Sequence, residues 1–178
     1  MIRKLKTLEM QRLTIEDYHK ADKMPLVVVL DDVRSMHNVG SVFRTCDAFR
    51  AESVYLCGIT ATPPMNEIHK TALGAEESVS WQYYKTAVEA VSDLHARGYK
   101  VLAVEQCEGS TMLPAEISSD GYAGIAVVLG NEVHGVHQEV INQCDGCLEI
   151  PQYGTKHSLN VSVTAGIIIW EVARQYRQ

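Results

Sequence analysis

The chain lacks any long apolar run, and this argues against a membrane-spanning helix. A span needs roughly 20 apolar residues in succession, whereas the longest late run, Gly166–Trp170, stops at Glu171. The N-terminal segment Met1–Lys6 carries charge but no apolar core follows it, which is not the pattern of a signal peptide. We therefore expect a cytoplasmic protein that does not interact with membranes.

Several local signatures of large enzyme classes are also missing. The sequence contains neither the dinucleotide fingerprint G-x-G-x-x-G nor the phosphate loop G-x-x-x-x-G-K-[ST]. It has no G-x-S-x-G nucleophile elbow and no H-E-x-x-H zinc motif. Interpretations as a nicotinamide enzyme, an NTPase or a serine hydrolase therefore have no local support.

Positive charge is not in excess. The 16 Lys and Arg residues face 22 Asp and Glu residues, which gives a net charge of −6. Because affinity for nucleic acids comes largely from Lys and Arg contacts with phosphates, composition alone does not favour RNA. An acidic protein still binds RNA when its basic groups share one surface. For most of the candidate basic residues, a shared RNA-binding surface and scattered solvated charges are equally good interpretations. These candidates are Arg3, Lys4, Lys6, Arg12, Arg34, Arg44, Lys70 and Lys156.

The five cysteines lack the even number and the secretion signal of a disulfide framework, so free thiols are expected. Cys144 and Cys147 have the C-x-x-C spacing of metal or redox sites, with His134 and His137 just upstream. A single C-x-x-C is a weak zinc signal. Cys147 also opens an apolar stretch, which is typical of a small buried residue. We expect no metal.

What the chain does contain is an alternation of strand and helix patterns. The β-branched run Leu26–Leu30 predicts a strand buried on both faces. Apolar positions in Val39–Arg50 have helical spacing. Further strands are predicted over residues 53–57, 78–84, 100–104, 125–129 and 148–150. Further helices are predicted over residues 66–73, 86–97, 136–143 and from 158 or 159 to 175.

This alternation predicts an α/β fold with a mostly parallel sheet and helices on both faces. Residues 1–24 are polar, with Thr7 and Thr14 as candidate helix caps, and Pro25 ends this segment. We therefore expect a short N-terminal helical arm over residues 1–24. One domain is expected over residues 25–178.

Three polar turns follow predicted strands: Asn38–Arg44, Leu129–Gly135 and Ile150–Gly166. In open α/β sheets, ligands bind at the carboxyl ends of the strands. Three such turns in one small domain therefore predict a site. The side chains that stand out there are Asn38, Arg44, Glu132, Ser158 and Asn160.

Each of these residues also has a structural interpretation. Asn160 begins an apolar helix, where an ordinary cap is equally expected. Arg44 lies among apolar neighbours, so a partly buried salt bridge is as good an explanation as a functional role. Glu132 has fewer structural reasons to be there, since it is a carboxylate at the end of a buried strand beside glycine.

The three turns resemble the ordered motifs of the SpoU (TrmH) family of RNA ribose 2′-O-methyltransferases, within the SPOUT superfamily. The matching patterns are Asn38-x-Gly40-x-x-x-Arg44, Leu129-Gly-Asn-Glu-x-x-Gly135 and Ile150-Pro-x-x-Gly-x-x-x-Ser-Leu-Asn-Val-Ser162. They occur in the family's order, and the similarity runs from about residue 25 to the C-terminus.

The resemblance implies a SPOUT-type fold with a deep C-terminal trefoil knot, a rare exception among chain topologies. It also implies a homodimer that binds S-adenosylmethionine (SAM) in the knot and modifies tRNA or rRNA. By motif position, the cofactor would be held by Leu129, Gly130, Ile150, Ser158 and Leu159, with Gln106 and Gly109 as further candidates. The catalytic neighbourhood would consist of Asn38, Arg44, Glu132 and Asn160.

In this family, an Arg at the position of Arg44 is described as acting on the 2′-hydroxyl. A guanidinium is essentially never deprotonated in proteins. We therefore expect Arg44 to stabilise developing alkoxide charge and to grip the adjacent phosphate, with Glu132 holding Arg44 or a substrate phosphate taking the proton. Two other functions stay open: a catalytically silent knotted dimer that binds RNA or SAM, and a methyltransferase for small molecules on the same scaffold.

Overall fold

The computed structural model describes residues 2–176. Met1 of the predicted N-terminal arm and Arg177 and Gln178 of the predicted domain lie outside the described residues. Within that range, seven strands form one sheet in the order β3-β2-β1-β6-β4-β7-β5. All neighbouring strands are parallel. The strands are β1 (Met24–Asp31), β2 (Ala51–Cys57), β3 (Ser80–Tyr84), β4 (Tyr99–Val104), β5 (Thr111–Met112), β6 (Gly124–Leu129) and β7 (Gly146–Glu149). The predicted parallel α/β sheet is confirmed.

Helices lie between most of these strands, and the arm contains one 3-10 turn and one short helix. The 3-10 turn is Thr7–Met10. The helices are α1 (Ile15–Lys20), α2 (Met36–Phe49), α3 (Asn66–Ala72), α4 (Ala75–Ser78), α5 (Ala87–Ala96), α6 (Gln138–Ile141) and α7 (Val161–Tyr176). The Thr14 hydroxyl accepts a hydrogen bond from the Asp17 N–H at 3.1 Å, so this predicted cap is confirmed. The predicted Thr7 cap is wrong, since Lys6 holds that position.

The core lies on both faces of the sheet, as the β-branched run of β1 predicts. Because side chains alternate along a strand, Leu26, Val28 and Leu30 pack into one apolar cluster. Val27 and Val29 pack into the other, on the opposite face. Helices α2 and α7 contribute to the first cluster, and α5 contributes to the second.

The sequence patterns missed two short elements, α4 and β5. Helix α6 is also shorter than predicted, because the backbone of His137 is extended (φ −60°, ψ 139°) and the helix begins only at Gln138. Val136 N–H donates to Glu105 (3.1 Å) and His137 N–H donates to Asp31 (3.0 Å). Within residues 2–176, no helix is long and apolar enough to cross a membrane. The trefoil knot stays a prediction.

Candidate active site

The three motif turns meet at one edge of the sheet. Strands β1, β6, β4 and β7 are successive neighbours, and parallel strands direct their carboxyl ends to the same edge. The turn after β1 enters α2, the turn after β6 carries Glu132, and the segment after β7 leads to α7. Strand order therefore brings together residues that are distant in sequence.

Glu132 forms the centre of this arrangement. Its carboxylate accepts hydrogen bonds from the backbone N–H groups of Arg34 and Ser35, at 2.9 and 3.0 Å. It also accepts one from the side-chain amide of Asn38, at 3.0 Å. One carboxylate after β6 thus fixes both the backbone before α2 and a side chain in the first turn of α2.

Asn160 completes the group from the third motif. Its side-chain N–H donates to Asn38 Oδ1 at 3.2 Å, and its Oδ1 accepts from the Ser162 N–H at 2.9 Å. The second contact is helix-capping geometry at the start of α7. Asn160 therefore caps a helix, as its structural interpretation predicts, and it also joins the Asn38–Glu132 pair; its catalytic role stays a prediction.

The ionised form of Glu132 is favoured in this environment. Burial by itself raises the pKa of Glu132, but the N–H donors from Arg34, Ser35 and Asn38 lower it by more, so its pKa lies below the ordinary value. A carboxylate that keeps its charge near neutral pH is a fixed acceptor at the edge of the site.

Arg44 does not have the environment that its apolar neighbours predict. It is exposed on α2, and across residues 2–176 its guanidinium forms no hydrogen bond or ion pair. The salt bridge weighed as a structural explanation for Arg44 is therefore wrong. The prediction that Glu132 holds Arg44 is wrong as well, since Glu132 instead accepts hydrogen bonds from the residues at the start of α2. Arg44 is left available to a ligand.

A cleft of about 1020 Å³ opens at the carboxyl ends of β4, β6 and β7. Glu132 and Asn160 lie in its wall, whereas Asn38 and Arg44 do not line it. Six of the seven predicted cofactor residues line it: Gln106, Leu129, Gly130, Ile150, Ser158 and Leu159. The seventh, Gly109, lies outside this lining, in a turn where its φ is +80°. The Gln106 side chain donates to the His157 carbonyl at 2.6 Å and so links two walls.

Gly130 is required by close backbone packing. A Cβ at this position would lie 2.0 Å from the carbonyl carbon of Gly135 and 2.1 Å from the nitrogen of Val136. Asn131 and Gly135 form reciprocal backbone hydrogen bonds of 3.0 and 2.9 Å, which close the turn. The glycine therefore allows the turn after β6 to fold tightly beneath the cleft.

The cleft is lined by carboxylates. Its charged side chains are Glu105, Glu108, Glu132 and Glu149, and no Lys or Arg among residues 2–176 lines it. None of these four carboxylates forms an ion pair within the part of the chain that the structure describes. Such a lining favours a ligand that carries positive charge.

Two structural residues of the site were not singled out from the sequence. Asn131 is buried, its side-chain N–H donates to the Asp32 carbonyl (2.7 Å), and its Oδ1 accepts from the N–H groups of Val133 and His134. It therefore shapes the turn that presents Glu132. Glu105 accepts from the N–H groups of Gln106 (2.8 Å) and Val136 (3.1 Å). The signal for Asn131 was its place inside the second motif; Glu105 gave none beyond following a strand.

The zinc grouping weighed for the C-x-x-C segment does not assemble. Cys147 Sγ lies 2.7 Å from Cys107 Sγ, and the Cys144 thiol donates to the Val140 carbonyl at 3.3 Å. Elsewhere, Asp31, Asp32 and His137 place potential ligand atoms within 4.8 Å of one another. Those side chains already have hydrogen-bond partners in the protein. His137 Nδ1 is 2.9 Å from Asp31 Oδ2, and the Ile59 N–H donates to Asp32 Oδ1.

Comparison with known proteins places this site in a family. The model of the SpoU rRNA Methylase family matches residues 25–170. The tRNA (guanosine(18)-2′-O)-methyltransferase of Thermus thermophilus is 33% identical over 94% of this chain and 84% of its own length. The 23S rRNA (guanosine-2′-O-)-methyltransferase RlmB of Neisseria meningitidis is 30% identical over 85% of this chain. The chain spans 59% of that relative's length and 65% of a TrmH-family relative from Bacillus subtilis.

Solved structures share the fold. The A. aeolicus TrmH/SpoU tRNA modifying enzyme superposes with a TM-score of 0.78 and 29% identity, covering 92% of this chain and 80% of that one. An AdoMet-bound rRNA methyltransferase from Sinorhizobium meliloti gives a TM-score of 0.78 and 28% identity, covering 92% of this chain and 61% of that one. From its three motifs, its parallel sheet and these matches together, the chain belongs to the SpoU rRNA methylase family.

Proposed function

We propose that this protein transfers a methyl group from SAM to a ribose 2′-hydroxyl of tRNA or rRNA. The observation that carries the proposal is the hydrogen-bonded group of Asn38, Glu132 and Asn160 at the edge of the cleft. One residue comes from each motif. The names of its relatives, which act on guanosine in tRNA and in 23S rRNA, support the same substrate class.

The residues of the cleft fit SAM as the cofactor. The carboxylate lining complements a sulfonium and an ammonium group. The tight turn at Gly130 lets backbone approach a ligand closely. SAM supplies an electrophilic methyl group on a positively charged sulfur. Leu129, Ile150 and Leu159 offer apolar contacts in the same wall.

On the acceptor side, the chain's residues bind and orient the ribose and stabilise charge. The exposed guanidinium of Arg44 is free to grip a phosphate and to donate to an oxygen that gains negative charge as its proton leaves. Glu132 keeps its charge and fixes Asn38 and the Arg34–Ser35 backbone beside it. Because both Glu132 oxygens are engaged, a phosphate of the RNA is the better candidate to receive the proton.

We infer that two copies of the chain form a homodimer through α7. Val163, Ile167 and Trp170 lie on one side of this helix at i, i+4 and i+7, and all three are exposed. The Trp170 ring also contacts Phe49 of α2 with a centroid distance of 5.8 Å, which extends the apolar surface. An exposed apolar stripe of this kind is typical of an association surface.

Residues 25–178 would act as the catalytic domain and residues 1–24 as a basic arm that helps to hold RNA. The family model begins at residue 25, which supports this division. Arg12, Arg34 and Lys156 have no ion-pair partner among residues 2–176, so their charges are available to phosphates. Since the proposed substrates are tRNA and rRNA, the proposed location is the cytoplasm.

The proposal is tested by incubating the protein with methyl-labelled SAM and total RNA, followed by nuclease digestion and nucleoside analysis. We expect label in a 2′-O-methylated nucleoside, and separate tRNA and rRNA fractions identify the substrate. The matched control is Arg44→Ala, which leaves the cleft intact. Binding of SAM without any labelled RNA would favour the silent binding protein. Label confined to a low-mass product would favour a small-molecule methyltransferase.

A further inference from the structure

Two cysteines meet at the wall of the cleft. The sulfur atoms of Cys107 and Cys147 lie 2.7 Å apart, although the residues are 40 positions apart in sequence. Both are free thiols and both are partly exposed. We propose that Cys107 and Cys147 form a reversible disulfide under peroxide, and that a ligand in the cleft blocks this oxidation.

The pair is held in place by the ends of the segment that carries Cys107. Before Cys107, the Glu105 N–H donates to the Leu148 carbonyl of β7 at 3.1 Å. After it, the Ser110 hydroxyl hydrogen-bonds to the Glu149 carboxylate. Both anchors belong to the strand that contains Cys147, so the sulfurs face each other through backbone position rather than by free rotation of a loop.

Access explains why a ligand would control the reaction. Cys107 lines the cleft, whereas Cys147 does not. We therefore expect peroxide to oxidise Cys107 first, through the space that the ligand would fill. Burial raises the pKa of the Cys147 thiol above its ordinary value, which disfavours Cys147 as the first thiol to be oxidised. This second half of the inference rests on the proposed function, because the ligand is the proposed cofactor.

The chemistry balances with hydrogen peroxide as the oxidant. The Cys107 sulfur attacks one peroxide oxygen, the O–O bond breaks, and Cys107 sulfenic acid and water form. The Cys147 sulfur then attacks the Cys107 sulfur, the new S–S bond displaces hydroxide, and the Cys147 proton converts that hydroxide to water. Two thiols are oxidised, one peroxide is reduced, and a dithiol reductant reverses the reaction. Transient disulfides of this kind are those found in cytosolic proteins.

The test uses the whole chain treated with hydrogen peroxide, with thiols counted by intact-mass and peptide mass spectrometry. We expect wild type to lose two hydrogen atoms and to yield a Cys107–Cys147 cross-linked peptide that dithiothreitol removes. Cys107→Ser and Cys147→Ser should each fail to form it. Cys144→Ser is the matched control, since this neighbouring half-buried thiol contacts a carbonyl, and it should still form the cross-link.

The same reaction with S-adenosylhomocysteine at ten times its Kd tests the access argument. Only about one molecule in eleven is then unliganded, so we expect disulfide formation to slow about 11-fold. Absence of the cross-link from wild type, or an unchanged loss of two hydrogen atoms in Cys107→Ser, would overturn the disulfide. If S-adenosylhomocysteine raises the Tm but the rate of disulfide formation does not change, the proposed protection of Cys107 by the ligand is overturned. If S-adenosylhomocysteine leaves the Tm unchanged, the result contradicts the proposed function instead. The cross-linking reaction without ligand would still show whether the disulfide forms.

Discussion

At the scale of single residues, Glu132 determines how the proposed catalytic neighbourhood is arranged. Its carboxylate is held by two backbone donors from the segment before α2 and by the Asn38 side chain. Hydrogen bonds to a charged acceptor are the stronger ones in proteins. Replacing Glu132 therefore affects stability and geometry together, and pH separates the contribution of its charge.

We expect Glu132→Gln to lower the free energy of unfolding at pH 7 by about 1–3 kcal/mol. The NH₂ group of the glutamine would face N–H donors that a carboxylate oxygen accepts in wild type. The pKa of Glu132 is depressed in the folded state. Its contribution is therefore fully present above the unfolded pKa of about 4.3 and is lost as pH falls through the lower folded pKa. Urea unfolding of wild type and Glu132→Gln from pH 7 to pH 3 should show that the difference in their free energies of unfolding becomes smaller as the pH falls.

The control for this series is Glu116→Gln, at an exposed carboxylate with no hydrogen bond or ion pair within residues 2–176. It should change stability by less than about 0.5 kcal/mol. A difference between wild type and Glu132→Gln that stays constant from pH 7 to pH 3 would mean that the charge of Glu132 does not stabilise the fold.

Arg44 gives the sharpest test of the chemistry. Because it is exposed and has no ion pair among the described residues, Arg44→Lys and Arg44→Ala should fold normally. We expect both to reduce single-turnover methyl transfer by about 100-fold or more, since a lysine lacks the planar fork of donors. Affinity for SAM, measured by calorimetry, should not change, because Arg44 does not line the cleft.

Near-normal turnover by Arg44→Lys would show that the fork geometry is unnecessary and that a positive charge suffices. Lys85→Ala, another exposed cation at the end of β3, should retain full activity as a control for general loss of positive charge.

At the scale of elements, the turn between β6 and α6 has little room for change. We expect Gly130→Ala to lower stability by about 1–3 kcal/mol, since the added Cβ meets backbone atoms that cannot rotate away. It should also abolish the increase in Tm that SAM produces, because this turn forms the floor of the cleft. Differential scanning fluorimetry with and without SAM measures both effects.

Gly154→Ala is the matched control for that substitution. Gly154 lies on the loop of the third motif, and a Cβ there would meet no heavy atom within 4 Å. It should keep the stability of wild type and its response to SAM. An equal loss of the SAM response in both variants would mean that close packing at Gly130 does not explain the requirement for glycine.

At the scale of the whole molecule, the distribution of charge is expected to control ligand preference. The cleft gathers four carboxylates, whereas SAM carries one more positive charge than S-adenosylhomocysteine. We expect SAM to bind roughly fivefold more tightly, the effect of about 1 kcal/mol of attraction in water. Added salt should reduce this preference, because exposed charges are screened. Titration calorimetry at low and high salt provides the measurement.

Glu108→Gln should reduce the same preference, since Glu108 is exposed and has no ion pair within residues 2–176. Equal affinity for the two ligands in wild type at low salt would mean that the carboxylate lining does not select by charge.

Association through α7 is the second property of the whole molecule. We expect wild type to be a dimer by size exclusion with light scattering and Val163→Glu to be a folded monomer, because a carboxylate in an apolar interface is costly. Ile59→Glu, at another exposed apolar residue, should remain a dimer. A monomeric wild type at micromolar concentration would remove the α7 interface from the proposal.

Much of the fold could be predicted from the sequence, because it depends on local periodicity. The β-branched run of β1 predicted burial on both faces, and the structure confirms it. Short elements such as α4 and β5 were missed because four or two residues carry too little pattern. The later start of α6 was missed because the backbone of His137 is extended and its N–H donates to Asp31 of β1, a long-range contact that no local pattern encodes.

The sequence by itself determined most of the strand and helix pattern, the three motifs and therefore the family. Only the tertiary structure decided how the motif residues touch, since Asn38 contacts Glu132 and Asn160 across 94 and 122 positions of chain. It also decided that Glu132 holds Asn38 rather than Arg44, and that Cys147 meets Cys107 rather than Cys144. The physical reason is the strand order β1-β6-β4-β7. Long-range packing selects that order, and no local spacing encodes it.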